Sequence, residues 1–273
     1  MTTLIPCERR ETLVRLEGIS ARRGDNLVLR DVDIEIKNVV RHDLDGQGQV
    51  VAVLGPSGIG KTTLFRVLAG LDAPTSGRVL IGEPQVPVEA GMVGVVFQRY
   101  PLFEHRTVID NLLIAGRRVG ATRDAARAML ARFHLEDRAD SWPAELSGGQ
   151  RQRVAIAQQL LCGHTYLLMD EPFSGLDPLC KREACDLIAE VARTDERTTI
   201  IIVTHDIREA VRVSDTLWLI GRDRDPSGAI IAGARVVGTY DLIARGLAWQ
   251  PGVERTPPFE ALVRELEDRF ATL

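Results

Sequence analysis

Lysine is nearly missing from this chain. Of its 34 basic residues only Lys37, Lys61 and Lys181 are lysines, and the rest are arginines. Cysteine is scarce too. Cys7, Cys162, Cys180 and Cys185 show no C-x-x-C spacing and no paired His/Cys spacing, which excludes a disulfide framework and a zinc site and leaves reduced thiols. The net charge of −4 and a sequence pI of about 5.8 lack the basic excess of a nucleic-acid binder, so no nucleic-acid partner is expected. No apolar run approaches the ~18 residues that cross a bilayer, the longest candidates being strands such as TIIIVT at 199–204. If the protein works at a membrane, another chain supplies the spanning helices. The start, MTTLIPCERRE, brings charges at once and has no apolar core, so no secretory signal is expected. LIPC at 4–7 likewise lacks the apolar segment that precedes a lipid-attachment site. What remains is a 273-residue chain, 45% hydrophobic, sized for one large domain or two small ones with a substantial core.

Against that background one of the three lysines sits in GPSGIGKTT at 55–63, directly after the apolar run VVAVL. The spacing G-x-x-x-x-G-K-[ST] is met by Gly55, Gly60, Lys61 and Thr62. A buried strand there runs into a loop of little bulk (Gly55, Pro56, Ser57, Gly58) and then into a helix starting near Lys61. Inward-pointing N–H groups and the helix start form a nest for anionic oxygens. Lys61 is placed to reach the outer phosphates, and Thr62 offers a hydroxyl to Mg²⁺, with Thr63 beside it. Lysine is the compact point charge this loop needs, and it appears here although the composition favours arginine.

The remaining pattern is that of an α/β protein. LVRLEGI (13–19) and LVLRDVDIEI (27–36) alternate apolar and polar as antiparallel strands with one solvated face. Residues 38–48 read as a long hairpin connection, and the helix after the phosphate loop reads to about Leu71. Short strands are expected at 78–82 and 93–97, a mostly helical block at 104–163, and buried strands at 166–169 and 199–204. Helices are expected over about 179–193 and 206–213, with a strand at 216–220. Two further segments carry chemistry. In LLMDEP (167–172) an apolar strand ends in Asp170, placed to hold Mg²⁺, and Glu171, placed as general base or water-orienting group. In LSGGQRQR (146–153) Ser147 is a good N-cap, and Gly148 and Gly149 permit close backbone approach to a ligand before the helix that carries Gln150. That makes a second anion-binding helix start, which one nucleotide cannot readily share with the first if the helical block is a separate arm.

On these residues the chain resembles the ATP-binding cassette ATPases, over roughly residues 13–221 and with every expected motif in order. The resemblance implies a P-loop NTPase core with an antiparallel β subdomain and an inserted α-helical subdomain (about 104–163), together spanning 1–221, and a C-terminal extension over 222–273. It implies ATP and Mg²⁺ as cofactors, held by the phosphate loop of Gly55 to Thr63. Gln98, in VVFQRYPLF, is implied to contact Mg²⁺ and the attacking water and to sense a membrane partner. Ser147, Gly148, Gly149 and Gln150 match the signature, Asp170 the metal-binding acid and Glu171 the catalytic glutamate. Asp177, in SGLD, is expected at a dimer interface, and His205, in IIVTHD, matches the switch histidine at the γ-phosphate. In this family two cassettes sandwich two ATPs, each phosphate loop facing the other copy's signature, which accounts for two phosphate sites in one chain. The implied partners are a second cassette, membrane-spanning permease subunits and, for importers, a separate solute-binding protein. The implied location is the cytoplasmic face of the cell membrane. FSGLDP and THDIREAVRVSDTLWLIG look most like importer ATPases for nitrate, sulfonate or taurine. The alternative is a cassette ATPase of a soluble assembly or repair machine, and a GTPase is excluded because no N-K-x-D motif is present.

The chain departs from the family's pattern at Arg23, which stands where an aromatic residue usually stacks on adenine. A guanidinium plane can also stack on a base; the alternative is that Arg23 lies on the surface. In the tail AIIAGARVVGTY is strand-like, and Phe259, Leu262, Val263, Leu266 and Phe270 fall on one face of a helix near 258–271, which either packs on the cassette or joins a dimer contact.

Overall fold

The computed structural model describes residues 7–41, 47–193 and 195–273. β1 (Cys7–Arg23) and β2 (Asn26–Arg41) form a long antiparallel hairpin closed by a tight turn in which Gly24 has φ +57°. Then come β3 (Gln49–Leu54), α1 (Lys61–Leu68), β4 (Ser76–Ile81), β5 (Val86–Pro87) and β6 (Gly94–Val96). The helices α2 (Val108–Ala115), α3 (Arg123–Arg132) and α4 (Gly148–Leu161) follow, joined by short 3₁₀ turns. The chain continues through β7 (Tyr166–Asp170), α5 (Pro178–Ala192), β8 (Thr199–Thr204), α6 (Ile207–Val213), β9 (Thr216–Gly221), β10 (Arg235–Asp241) and α7 (Pro257–Phe270).

Two sheets result. A four-stranded antiparallel sheet runs β2-β1-β4-β5, and a six-stranded sheet runs β10-β9-β3-β8-β7-β6, parallel except where β10 meets β9. The two-residue side-chain period divides β3 between two cores. Val51 and Val53 pack toward α1 and the antiparallel sheet, while Ala52 and Leu54 pack toward α6 and α7. A third core joins α2 to α5 with Leu167, Met169, Ile200 and Ile202. Burial on both faces is why β3 and β8 read as unbroken apolar runs.

Several expected boundaries are corrected. Residues 38–41 belong to β2 rather than to a connection. Val39 is buried in the core shared with the C-terminal segment, and Asn38 Nδ2 donates to Glu11 Oε1 at 2.9 Å. Residues 42–46 of that expected connection, and residues 4–6 of LIPC, lie outside the described residues. α1 stops at Leu68, three residues early, because Gly70 takes φ +67° and Leu71 N–H turns back to Arg66 O at 2.9 Å. In the tail only 235–241 is strand. Gly233, at φ +84°, bends the chain against Arg30, and Ala234 bridges to Leu29 before β10 begins. The apolar face of α7 packs on the cassette: Phe259, Leu262, Val263 and Leu266 lie in one core with Ala210, Val211 and Leu219.

Candidate active site

β3, β8 and β7 lie side by side and end level, Leu54 opposite Thr204 and Val203 opposite Asp170. Their C-terminal ends therefore deliver the 55–63 loop, His205 and the Asp170–Glu171 pair to one place, where ligands of open parallel sheets are held. A cavity of about 470 Å³ opens there, lined by Arg23, Val28, Ser57, Gly58, Gly60, Lys61, Thr62, Thr63, Gln98, Glu171 and His205.

The loop is closely built. A Cβ on Gly55 would stand 2.9 Å from Ile220 O, and one on Gly60, at φ +118°, would stand 2.9 Å from Val28 Cγ1. Both positions exclude any other residue. Gly60 is also the N-cap of α1 and carries no capping side chain, so the first turn of the helix lines the cavity with its N–H groups uncapped. Lys61 is buried. Its Nζ donates to Gly55 O at 2.8 Å and Pro56 O at 3.1 Å, and lies 3.3 Å from Glu171 Oε1. Gly55 and Pro56 thus act through their carbonyls and do not line the cavity.

Glu171 is the hub. Its Oε2 accepts from Thr204 Oγ1 at 3.1 Å and His205 N–H at 3.3 Å, and lies 2.8 Å from His205 Nδ1. Its backbone has φ +49°, a left-handed conformation that costs a side-chain-bearing residue about 1–2 kcal/mol. The strain is held by Glu171 N–H to Val203 O at 2.8 Å and Ser174 N–H to Glu171 O at 3.1 Å. Asp170 stands half-buried at the end of β7. Burial first, and then the charge of Glu171, raises its carboxyl above the ordinary range, while Lys61 opposes. Gln98 reaches across to donate Nε2 to Ser174 Oγ at 3.0 Å.

No group of three or more His, Cys, Asp or Glu capable of caging a metal occurs among the described residues. The oxygen donors are instead a hydroxyl (Thr62) and an amide (Gln98) that line the cavity, and the carboxylate of Asp170, which stands next to Glu171 in the chain and does not itself line it. That hard-oxygen set fits Mg²⁺, a cation that keeps waters and takes few protein ligands beside substrate phosphates.

Ser147, Gly148, Gly149 and Gln150 do not line this cavity. They start α4, where Ser147 Oγ accepts from Gln150 N–H at 3.2 Å and Gln150 Oε1 accepts from Ser147 N–H at 2.9 Å. A Cβ on Gly148 or Gly149 would meet nothing within 4 Å, and neither has positive φ. The chain's own packing does not require these two glycines. Asp177 caps α5, its Oδ1 accepting from Leu179 N–H at 2.9 Å and Cys180 N–H at 3.0 Å. Residue patterns did not single out Val28 or Thr204. Thr204 is the last residue of a buried run, so only its place beside His205 hinted at a role, and nothing marked Val28.

A family model described as ABC transporter matches residues 43–174. The aliphatic sulfonates import ATP-binding protein SsuB of Escherichia coli (strain K12) is 42% identical over 77% of this chain and 77% of its own length. Aliphatic sulfonates import ATP-binding protein SsuB 3 of Rhodococcus jostii is 40% identical over 76% of this chain and 70% of its own. Among solved structures, cbiO1 from Clostridium perfringens, part of the ABC transporter complex cbiONQ, superposes with TM-score 0.71 at 26% identity, covering 95% of this chain and 94% of that one. An ATP-binding cassette in a dimeric post-hydrolysis state, bound to ADP and phosphate, superposes with TM-score 0.66 at 26% identity, covering 84% of this chain and 99% of that one.

Proposed function

Because this chain belongs to the ABC transporter family, we propose that it is the ATP-binding and ATP-hydrolysing subunit of an importer for a small organic anion of the sulfonate type. The observation that carries the catalytic reading is the carboxylate of Glu171, held between Lys61 and His205 at the mouth of an uncapped, glycine-lined helix start.

In this reading the triphosphate lies along residues 55–63, its charge met by Lys61 Nζ and the first-turn N–H groups of α1. The base end lies against Arg23 and Val28, where the guanidinium plane stacks on adenine. Thr62, Asp170 and Gln98 would hold Mg²⁺, which when bound would offset the charge on the terminal phosphates. Glu171 takes the proton of the attacking water or orients it. His205, directed by its bond to Glu171, meets the γ-phosphate. The signature residues Ser147 to Gln150 complete the site of a second copy, and the open space at Gly148 and Gly149 supports that assignment. The likeness to importer ATP-binding proteins supports permease subunits that supply the path, with this chain on their cytoplasmic face; no helix of the described residues is long and apolar enough to cross a membrane. Phe97 and Phe103, 38% and 48% exposed and flanking Gln98 in the chain, are apolar side chains open to such a partner. A separate solute-binding protein delivers the cargo.

The test is Glu171→Gln. The variant is expected to bind ATP as the parent does and to lose nearly all turnover. In that background Arg23→Ala is expected to weaken ATP binding several-fold. Turnover close to the parent's in Glu171→Gln would overturn the assignment.

A further inference from the structure

α6 begins two residues after His205, so whatever fixes α6 also fixes the short loop that carries the imidazole. α5 grips it on one side: Lys181 pairs with Asp206, and Arg212 Nη2 donates to Asp186 Oδ1 at 3.2 Å. α7 packs on it from the other, burying Phe259 and Val263 in one core with Ala210 and Val211. The α6–α7 contact also carries a two-pronged bond. Arg208 Nη2 donates to Glu260 Oε1 at 2.6 Å and Nη1 to Oε2 at 3.1 Å, and the guanidinium stands 5.4 Å from the centre of the Phe259 ring. Ion pairs as open to water as this one add little stability, but two parallel bonds fix a direction as well as a distance. Among the described residues this is the ion pair that joins α6 to α7, and Arg208 is three residues from His205.

We propose that Arg208 and Glu260 are positioning residues for hydrolysis: through them the C-terminal helix sets where α6 holds His205 relative to Glu171. The inference rests on the roles given to His205 and Glu171 above. Small misplacements of a catalytic group lower the rate steeply while leaving ground-state binding alone, so kcat falls and KM does not. α7 carries its own control. A second pair, Arg245 to Glu265 at 3.3 Å, ties α7 to the segment after β10 and does not touch α6.

The experiment uses the full chain with Mg·ATP. Glu260→Gln and Arg208→Gln are each expected to lower kcat by about 3- to 10-fold with KM for ATP changed by less than about twofold. Both are also expected to shift the imidazole NMR signal of His205. Glu265→Gln is expected to leave kcat and that signal at parental values, with melting temperatures of the two glutamate variants within a few degrees of each other. Two results overturn the inference: a Glu260→Gln protein with parental kcat and an unmoved His205 signal, or a Glu265→Gln protein that loses as much kcat as Glu260→Gln. If Glu171→Gln still turns over, the reading of the site itself fails. If it does not turn over while Glu260→Gln is neutral, only the positioning role is lost.

Discussion

Asp215 takes a carboxylate fully into the interior, where its Oδ1 accepts from Val50 N–H at 2.9 Å. Burial raises its pKa from 3.8 to about 7, against the pull of the Val50 N–H. Between those values the folded chain holds a proton that the unfolded chain has released. The stability this contributes is complete below the unfolded value and is lost as pH rises through the folded one. Asp215→Asn keeps an acceptor for Val50 and cannot titrate. The stability of the parent relative to this variant is therefore expected to fall between about pH 4 and pH 7 and to level off above. Paired melts across that range check it, and parallel curves would remove the buried charge as the cause. At this scale the residues that meet in the cavity were legible, because Lys61, Glu171 and His205 each stand in a short motif that follows a buried strand. Thr204 and Ser174, which hold Glu171 and Gln98, were not legible as holders. Their hydroxyls meet those partners through contacts made by neighbouring strands and turns.

Elements were legible where period and caps agreed. α4, α5 and α7 start within about two residues of expectation; Ser147 was read as a cap, and the structure shows Asp177 and the proline pair after Thr256 at the other two starts. The apolar stripe on α7 was equally plain. Its target was not, because a stripe states that a face is covered and not by what. The target is α6 and the six-stranded sheet. Phe259, 1% exposed, is expected to be worth about 3–5 kcal/mol, so Phe259→Ala should lower the denaturant midpoint sharply without altering the slope. A cost near that of a surface change, below about 0.5 kcal/mol, would mean α7 is only loosely attached. The far ends of β1 and β2 were missed for a related reason. CERRET is mostly polar, yet its strand is held by partners far along the chain, as in the bond from Arg9 to Asp241 at 2.6 Å.

At the scale of the whole molecule, Ser147 to Gln150 are not among the residues that line the cavity, so on the proposed reading they are left to meet a nucleotide held by a second copy. Gly148→Asp should not disturb the fold, for a Cβ there meets nothing within 4 Å, but its carboxylate would repel a partner's phosphate. Lys61→Ala and Gly148→Asp are each expected to be inactive alone. Mixed in equal amounts they form some dimers with one intact composite site, and turnover is expected to recover to about a quarter of the parent's. No recovery on mixing would mean that the signature does not serve a second copy.

The sequence by itself determined the phosphate loop, the acid pair, the signature and the α/β alternation, because each is set by near neighbours: a glycine that admits no Cβ, a cap three residues from its target, a strand's two-residue period. Only the tertiary structure decided that Glu171 bonds both Lys61 and His205, that the last three residues of the expected α1 form a turn, and that the C-terminal helix packs on the element that follows His205. Those outcomes depend on the order of strands in the six-stranded sheet and on which faces meet across it. Contacts between residues tens to more than a hundred positions apart leave no period in the chain.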